Sequence, residues 1–385
     1  MEYCKKCVIP QTAETNRFDD QGICSVCRQI EIKDGLDWVK REKNLKEVIK
    51  KYKNQNDYDC IVPFSGGKDS TFTLWYLVKV LGLKVLAVRY DHNFLRNTLN
   101  HNVEKTLTKL SVDFISYKSN FKLIRKIMKE SLIRRGDFCW HCHVGICAFP
   151  INTACEKNIP LLFYGEPSSE YSSYYDYNDN EELNVEKFNI ISNLGIQAED
   201  MMEMLKERYP NEVFDDRDFK PFFFPSQREL NKKKIKALYL GSYIPWDVKK
   251  QVEIIKKELD WRGESVEGVP PEYDYEKIEC ALQGSRDYTK FLKRGFGRTS
   301  HLTSIDIRNK KKTRDEAIEL VKKYDGKKPK SLELLLQILN ISEDEYNEIV
   351  KKHLIYPNTI STKKENENRN IFHDEFEDLK NKFRD

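Results

Sequence analysis

The stretch that decides the fold reads Tyr58-Asp59-Cys60-Ile61-Val62-Pro63-Phe64, then Ser65-Gly66-Gly67-Lys68-Asp69-Ser70, then an apolar run from Thr71 to Leu81. The first part is short and apolar, which is typical of a buried strand, and the last part predicts a helix. The paired glycines between them allow a turn whose backbone N–H groups approach an anion closely. Because the positive end of the following helix favours the same ligand, the stretch predicts a strand, a phosphate-binding turn and a helix.

Further strands and helices alternate along the chain after this stretch. Apolar runs predict strands at residues 84–90, 112–116 and 161–164, and helical spacing predicts helices at about 37–52, 100–110, 121–134 and 142–157. Such alternation favours an α/β fold with an open parallel sheet covered by helices on both faces. Ligands of such sheets bind beyond the carboxyl ends of the strands, where residues 65–70 and the pair Gly165-Glu166 are expected to lie.

Charge and hydropathy exclude several classes of protein. Lys and Arg total 66 and Asp and Glu total 62, which gives a net charge of +4. So close a balance argues against nucleic acid as a main partner. Apolar runs stay well below the ~20 residues of a membrane span, and residues 1–7 lack the apolar region of a secretory signal. We therefore expect a cytoplasmic protein without membrane contact, in which ten cysteines serve metal binding or catalysis instead of disulfides.

Four cysteines near the N-terminus form two Cys-x-x-Cys pairs. Cys4 and Cys7 are separated from Cys24 and Cys27 by sixteen residues. Two such pairs at this spacing indicate a tetrahedral Zn²⁺ site with four thiolate ligands. A site closed by four protein ligands leaves no position for a substrate, so the predicted zinc is structural.

A second group of cysteines has a more open interpretation. Cys139-Trp140-His141-Cys142-His143 contains a third Cys-x-x-Cys pair, and Cys280 offers another thiolate from far along the chain. Cys139, Cys142 and Cys280 would suit a [4Fe-4S] cluster with one open iron, or a metal site completed by His141 or His143. The same thiols and imidazoles would equally line a substrate pocket that holds no metal.

The turn at Ser65 to Ser70 resembles the PP-loop of the ATP pyrophosphatases. It differs from a Walker A loop, which requires a glycine at Val62 and Ser or Thr at Asp69. The resemblance implies that ATP is cleaved between its α and β phosphates while the loop holds the pyrophosphate. The residues that it assigns to ATP binding are Ser65, Gly66, Gly67, Lys68, Asp69, Ser70, Asp91 and Gly165.

Two of the acidic residues at this edge have an alternative interpretation. Asp91 would contact the nucleotide or would only form a turn at the end of its strand. Glu166 would help to hold Mg²⁺ or orient the substrate, or would be a surface carboxylate.

Several sequence segments, taken together, resemble those of the N-acetyl sugar amidotransferases. This family includes the enzymes that build acetamidino groups on pseudaminic acid and on bacterial O-antigen sugars. The resemblance extends to about residue 350 and includes the PP-loop together with residues 4–12, 18–24, 139–143, 243–247, 291–298, 306–308 and 313–317. It implies an α/β fold of the PP-loop ATP pyrophosphatase type with an N-terminal zinc knuckle and a helical C-terminal region.

The activity that this resemblance implies is ATP-dependent amidine formation in bacterial surface glycan (lipopolysaccharide) biosynthesis. The acetamido oxygen of an N-acetyl sugar would be adenylated with Mg²⁺ and ATP, and ammonia would replace it. Lys68 and Asp69 would act at the phosphates, and His143 or His141 would accept a proton from ammonia. Lys293, Arg294 and Arg298 would bind a sugar-acid carboxylate or a nucleotide-sugar diphosphate, or would be exposed basic residues of a loop. Glu166 would contribute to substrate binding by orienting the sugar.

The ammonia source and the domain limits complete these expectations. Residues 1–30 are predicted to form the knuckle, 31–175 the ATP-binding domain, 176–330 its substrate-binding continuation and 331–385 a helical segment. The chain shows no glutaminase domain of its own, so ammonia or glutamine would reach it through a separate glutaminase subunit. The alternative function is that of a PP-loop tRNA thiolase, which would carry sulfur to a tRNA base.

Overall fold

The computed structural model describes residues 1–13, 16–170, 172, 177, 182, 184, 185 and 193–355. Most of the stretch around the predicted domain boundary at residue 176 lies outside these residues. The predicted helical segment 331–385 is described up to residue 355.

A parallel sheet forms the centre of the molecule. Within the described residues it consists of β1 (Cys60–Pro63), β2 (Val85–Asp91), β3 (Asp113–Lys118), β4 (Leu161–Tyr164) and β5 (Lys236–Tyr239). The strand order is β3-β2-β1-β4-β5, and every neighbouring pair is parallel. The predicted open parallel sheet is therefore confirmed, and β5 is a strand that the sequence analysis did not predict.

Helices lie on both faces of this sheet. They are α1 (Ser25–Asp34), α2 (Trp38–Lys50), α3 (Lys68–Trp75), α4 (Asn97–Leu110), α5 (Phe121–Arg135), α6 (Trp140–Lys157), α7 (Ala198–Arg208), α8 (Asp216–Phe219), α9 (Gln227–Lys233), α10 (Val248–Leu259), α11 (Gln283–Arg294), α12 (Arg298–Arg308), α13 (Arg314–Tyr324), α14 (Ser331–Leu339) and α15 (Glu343–Lys351). A π-helical turn, Tyr76–Val80, continues α3. None of these described helices is both long and apolar enough to span a lipid bilayer.

Alternation along β1 separates the two layers. Val62 packs in one hydrophobic cluster with Leu74 of α3, whereas Ile61 packs in another with Ile151 of α6. Successive side chains of a strand point to opposite faces, so this split is what a buried strand with apolar residues on both sides produces.

The C-terminal helices share a core with the sheet domain. Ile338 of α14 and Tyr346 of α15 belong to the same buried cluster as Ile127 and Met128 of α5. The hydroxyls of Thr289 and Tyr346 lie 2.7 Å apart within it. A capping box formed by Thr313 and Glu316 is present at the start of α13. These helices therefore pack directly against α5, in the same half of the chain as most of the sheet.

The N-terminal module packs on α12 and α13. Phe296 and Ile307 contact its apolar cluster. The Val8 amide donates to Ser304 Oγ at 3.4 Å, and Arg314 Nε donates to the Cys7 carbonyl at 3.1 Å. The knuckle is thus anchored to the C-terminal helices, although about 300 residues separate the partners in sequence.

Candidate active site

The turn at residues 65–70 joins β1 to α3 and is held from several sides. Gly66 has a φ of +88°, and a Cβ there would lie 2.7 Å from Val103 Cγ2, so this position requires glycine. The indole of Trp261 donates to the Gly66 carbonyl at 2.9 Å. The Ser65 hydroxyl accepts from the Gly67 amide at 3.1 Å. These contacts fix the shape of the turn.

The N-terminus of α3 supplies donors and positive charge. Gly67 is its N-cap and provides no capping side chain, so the first backbone N–H groups of the helix point outward without an intrahelical acceptor. Lys68 Nζ lies 2.6 Å from Asp69 Oδ2 and 3.0 Å from Glu276 Oε2. Burial lowers the pKa of Lys68, but Asp69, Glu276 and Glu166 outweigh it and raise the pKa well above its usual value. Lys68 is therefore a charged amine at neutral pH.

A segment from the C-terminal half lies over this turn. Residues 276–282, the covering segment, are fixed beside β2 by backbone hydrogen bonds from the Ala281 amide to the Phe94 carbonyl (2.9 Å) and from the Arg96 amide to the Glu279 carbonyl (3.4 Å). The Glu279 carboxylate lies where a Cβ on Gly67 would sit, and it accepts from Ser65 Oγ at 3.4 Å. An anionic group of the protein therefore occupies the space beside the glycine turn.

Buried ion pairs extend from the turn into α11 and α12. Glu276 lies 3.6 Å from Arg298 Nη1, and Arg298 Nη2 donates to Asp287 Oδ1 at 2.9 Å. Burial alone would raise the pKa of Glu276, but Lys68, Lys277 and Arg298 outweigh it and lower the pKa to about 2. Of the three basic residues predicted to bind substrate, Arg298 is thus the one whose ion pairs connect it to Lys68.

Gly165 and Glu166 follow β4 at the same edge. A Cβ on Gly165 would lie 2.8 Å from Thr73 Oγ1 and 3.1 Å from the Asp69 carbonyl, so glycine permits the close approach of α3. Burial and repulsion from Asp69, opposed by Lys68 and Lys277, raise the pKa of Glu166 to about 8. Glu166 therefore shares the electrostatic environment of the turn.

Asp91 and the predicted basic residues of α11 have contacts elsewhere. Asp91 Oδ1 accepts from the Asn93 amide at 2.8 Å and so forms the turn after β2. Lys293 Nζ donates to the Arg135 carbonyl at 2.8 Å, and Arg294 Nη1 donates to the Thr12 carbonyl at 2.7 Å. A nucleotide role for Asp91 and a substrate role for Lys293 and Arg294 remain predictions.

The thiols of Cys139, Cys142 and Cys280 share one electrostatic neighbour, the guanidinium of Arg286. Burial raises the pKa of each thiol, and Arg286 opposes this effect at all three. Cys280 belongs to the covering segment, and a backbone bridge to Leu95 fixes it there. The knuckle sulfurs lie within 4.8 Å of one another, whereas these three sulfurs do not form such a group among the described residues.

The two histidines of α6 differ in their surroundings. His143 is half-buried and interacts electrostatically with Asp137. Burial raises the pKa of Asp137, but Arg286 and His143 outweigh this effect and lower the pKa. His141 is buried against Phe94, and neither of its ring nitrogens makes a hydrogen bond to any residue that the structure describes. Burial, followed by repulsion from His92 and His143, lowers the pKa of His141 to about 3. Its imidazole is therefore neutral at physiological pH.

The N-terminal cysteines have the geometry of a four-thiolate site. Their sulfurs are buried and lie within 4.8 Å of one another, with Cys4 to Cys27 at 4.0 Å and Cys7 to Cys24 at 3.9 Å. A tetrahedral ion with Zn–S bonds of about 2.3 Å requires sulfur separations of about 3.8 Å. The four residues therefore fit Zn²⁺, and they lie apart from the turn in the sheet.

Sequence reasoning missed most of the groups that surround Lys68 and the thiols. Glu276, Lys277 and Glu279 stand in a charged stretch that gives no motif, and Arg286 and Asp287 lie on a helix of ordinary composition. The one available signal was Cys280, because a thiolate placed with Cys139 and Cys142 brings residues 276–279 to the same edge of the sheet.

Comparisons with known proteins add three findings. Residues 272–380 match the family model of the C-terminal domain of WbpG-like LPS biosynthesis proteins. A 142-residue stretch is 26% identical to an uncharacterized protein of Methanocaldococcus jannaschii; it covers 36% of this chain and 50% of that protein, so the chain spans about half of this relative's length. The U34-tRNA thiolase NcsA from Methanococcus maripaludis, solved with its [4Fe-4S] cluster, aligns over 94% of both chains at 13% identity and a TM-score of 0.32.

Proposed function

We propose, for a PP-loop superfamily member whose C-terminal region is WbpG-like, that this protein is an ATP-dependent N-acetyl sugar amidotransferase of bacterial surface glycan biosynthesis. It would adenylate the acetamido oxygen of the sugar and replace it with ammonia to give an acetamidino group. The products would be AMP and pyrophosphate.

The observation that carries this proposal is that one site is built from both halves of the chain. The PP-loop supplies Lys68, and residues within the match to the LPS biosynthesis domain supply Glu276, Glu279 and Arg298. A glycan-related domain that contributes side chains to a phosphate-binding turn supports the use of ATP on a glycan substrate.

The adenylation step uses the turn for positioning and charge. The amide oxygen of the acetamido group attacks the α phosphorus, the bond to the β-phosphate oxygen breaks, and pyrophosphate leaves. The N–H groups at the start of α3 and the Lys68 ammonium stabilise the charge that develops on the departing oxygens. Glu276 positions the Lys68 ammonium 3.0 Å from its own carboxylate.

The second step replaces the activated oxygen. Ammonia attacks the imidate carbon, loses a proton and expels AMP, which is a far better leaving group than the original amide oxygen. His143, half-buried beside Asp137, is the base that we propose for this proton. The ammonia would come from glutamine through a separate glutaminase subunit.

The residues around the turn also fit Mg²⁺, which prefers oxygen ligands and often retains substrate phosphates in its shell. Asp69, Glu166, Glu276 and Glu279 all lie near Lys68 or Gly67, and Asp69 Oδ1 is buried without a hydrogen-bond partner among the described residues. A bound Mg²⁺ would neutralise charge on the phosphates. These carboxylates would hold it.

The direct test is product formation. The protein is incubated with ATP, ammonium and N-acetyl sugars, AMP and pyrophosphate are measured, and mass spectrometry detects an oxygen replaced by NH. We expect Lys68→Ala to lower the rate by about 10²–10³-fold, since it removes a charge aimed at the departing phosphate. Lys79→Ala, which removes an exposed lysine at the end of the same helical run, is the matched control and should retain wild-type activity.

Two results would contradict the proposal. Release of ADP and inorganic phosphate would show cleavage at the terminal phosphate, which is the wrong bond. Wild-type activity in Lys68→Ala would remove the loop from the reaction.

The grouping of Cys139, Cys142 and Cys280 around Arg286 favours one alternative, a tRNA thiolase that uses the same adenylation chemistry. Such an enzyme would transfer labelled sulfide to a tRNA base and would bind tRNA with a steep dependence on salt. Sulfur incorporation without amidine formation would favour this alternative over the amidotransferase.

A further inference from the structure

A small cleft opens beside the candidate active site, on the far side of Asp287. It has a volume of about 60 Å³ and is lined by Gly136, Asp137, Phe138, Arg286, Asp287, Thr289, Lys290, Lys293 and Arg294. A water needs roughly 10–15 Å³ on this scale. The cleft therefore accommodates a carboxylate or a phosphate group, whereas a whole sugar would remain outside it.

The lining of the cleft carries an excess of positive charge. Four of its side chains are cationic and two are carboxylates. Both carboxylates have other partners: Asp287 accepts from Arg298 at 2.9 Å and from Gln283 at 2.9 Å, and Asp137 accepts from the Cys139 amide at 2.7 Å. The charge of Asp287 is thus directed largely at Arg298, which leaves the cleft favourable for an anion.

Arg286 is the residue that makes the cleft more than a basic surface. Its Nε is buried and has no hydrogen-bond partner in the described structure. A buried donor without an acceptor costs free energy that an anionic ligand would recover. The guanidinium stays charged, because burial, which lowers the pKa of Arg286, is outweighed by Cys139, Asp137 and Asp287, which raise it.

The cleft is connected to the phosphate turn by three successive contacts. Asp287 pairs with Arg298 at 2.9 Å, Arg298 with Glu276 at 3.6 Å, and Glu276 with Lys68 at 3.0 Å. Phe138 and Asp137 join the cleft to Cys139 and to His143 on the other side. A substrate anchored in the cleft by an anionic group would extend from there toward the turn.

We propose that the cleft around Arg286 binds the anionic group of the acetamido substrate, and that Arg286 is the side chain on which this binding depends most. This inference rests on the proposed function for the identity of the substrate. A sugar-acid carboxylate and a nucleotide-sugar diphosphate share the required chemistry. Arg298 belongs to the ion pairs of the phosphate turn, whereas Arg286, Lys290, Lys293 and Arg294 form the anion subsite.

The test begins with binding in the absence of turnover. Thermal shifts of the full-length protein are measured at constant ionic strength with N-acetylneuraminic acid, UDP-N-acetylglucosamine and neutral N-acetylglucosamine, and with ATP in parallel. We expect one of the two anionic sugars to stabilise the wild type, and the better one identifies the group that the cleft accepts. Arg286→Gln should weaken its apparent affinity roughly ten- to hundredfold, since a charge-assisted hydrogen bond is lost.

Two further variants separate a binding defect from a folding defect. Lys293→Gln removes a cation from the edge of the cleft and should weaken the anionic sugar less than Arg286→Gln does. Lys257→Gln, on the exposed face of α10, is a control that should leave binding unchanged. The ATP-induced shift should be the same in all three variants, which reports an intact phosphate turn.

The outcomes distinguish this inference from the proposed function. If AMP is released with an anionic sugar and its KM is the same in Arg286→Gln and in wild type, the reaction stands and the subsite is wrong. If an anionic sugar binds in an Arg286-dependent manner but yields no AMP, the subsite stands and the reaction is wrong. Equal binding of neutral and anionic sugars by the wild type would also overturn the subsite.

Discussion

The two groups of cysteines contain the same Cys-x-x-Cys motif but differ in how far apart in the chain their members lie. In the knuckle, Cys4, Cys7, Cys24 and Cys27 come from one short segment and converge to within 4.8 Å. The other group combines Cys139 and Cys142, at the start of α6, with Cys280 of the covering segment. Arg286 and Asp137 are its charged neighbours. Local spacing thus brings the first group together, whereas tertiary structure assembles the second beside the turn at residues 65–70.

This difference implies different consequences of losing a thiol. The knuckle is a small module with a minimal core of its own, and it packs on Phe296 and Ile307. A metal in such a module contributes folding free energy directly. The second group lies between the start of α6 and the covering segment, where Cys139 and Cys280 pack in or against a large hydrophobic cluster. We therefore expect the local fold to depend less on these sulfurs than the knuckle does on its own.

The largest effect is expected for Cys24→Ser in the knuckle. Loss of one of four thiolates should remove one equivalent of zinc and destabilise the module by about 4–5 kcal/mol or more. Zinc is measured by elemental analysis and unfolding by hydrogen exchange. Exchange should rise in residues 4–27 and in α12, on which the knuckle packs.

A matched control for this variant is Cys155→Ser, which changes a buried thiol of α6 that belongs to neither group. It should keep its zinc. Full zinc content in Cys24→Ser would contradict the assignment of the knuckle as a four-thiolate site.

Much of the fold could be predicted because its signals are local. The apolar strand, the glycine turn and the helix from residue 58 to 81 follow directly from residue types and their spacing, and β4 has the predicted bounds. β5 was missed because Lys236–Tyr239 is short and follows Lys232, Lys233 and Lys234, and a run of like charges is typical of a solvated face. Its strand character depends on pairing with β4, which is a long-range contact.

The site was predictable only where a motif spans it. Ser65 to Ser70 and the four knuckle cysteines could be named from the sequence, but Glu276 and Glu279 could not, because an isolated glutamate in a charged stretch indicates a surface. What places them over the turn is the backbone pairing of residues 279–281 with residues 94–96. The basic residues predicted to bind substrate lie in two different places: Arg298 is ion-paired near the turn, whereas Lys293 and Arg294 line the cleft. Long-range contacts determine this separation too, so the sequence alone does not show it.

A smaller effect, on the pH dependence of the free energy of unfolding, is expected from His141. It tests whether this imidazole belongs to the second cysteine group. Its pKa is about 3 in the folded protein and 6.5 ordinarily. The unfolded chain therefore binds a proton that the folded chain does not, and the free energy of unfolding falls as the pH drops below 6.5. Between pH 6.5 and about 5 the loss should be about 2 kcal/mol.

His141→Leu should remove this loss and flatten the acid side of the stability curve, measured by urea unfolding at several pH values. Replacing a buried imidazole that lacks partners by an apolar side chain should cost little at neutral pH. A fall in bound metal in His141→Leu would instead identify His141 as a ligand.

The smallest change in stability is expected for Cys280→Ser, in direct contrast to Cys24→Ser. Cys280 Sγ accepts a hydrogen bond from the Leu282 amide at 3.4 Å, and a serine hydroxyl can accept the same bond. The side chain is half-buried, so the free energy of unfolding should change by less than about 1 kcal/mol, and the zinc of the knuckle should be retained. Destabilisation as large as that of Cys24→Ser, together with loss of iron or a second zinc, would show that both groups are structural metal sites, and the contrast between them would disappear.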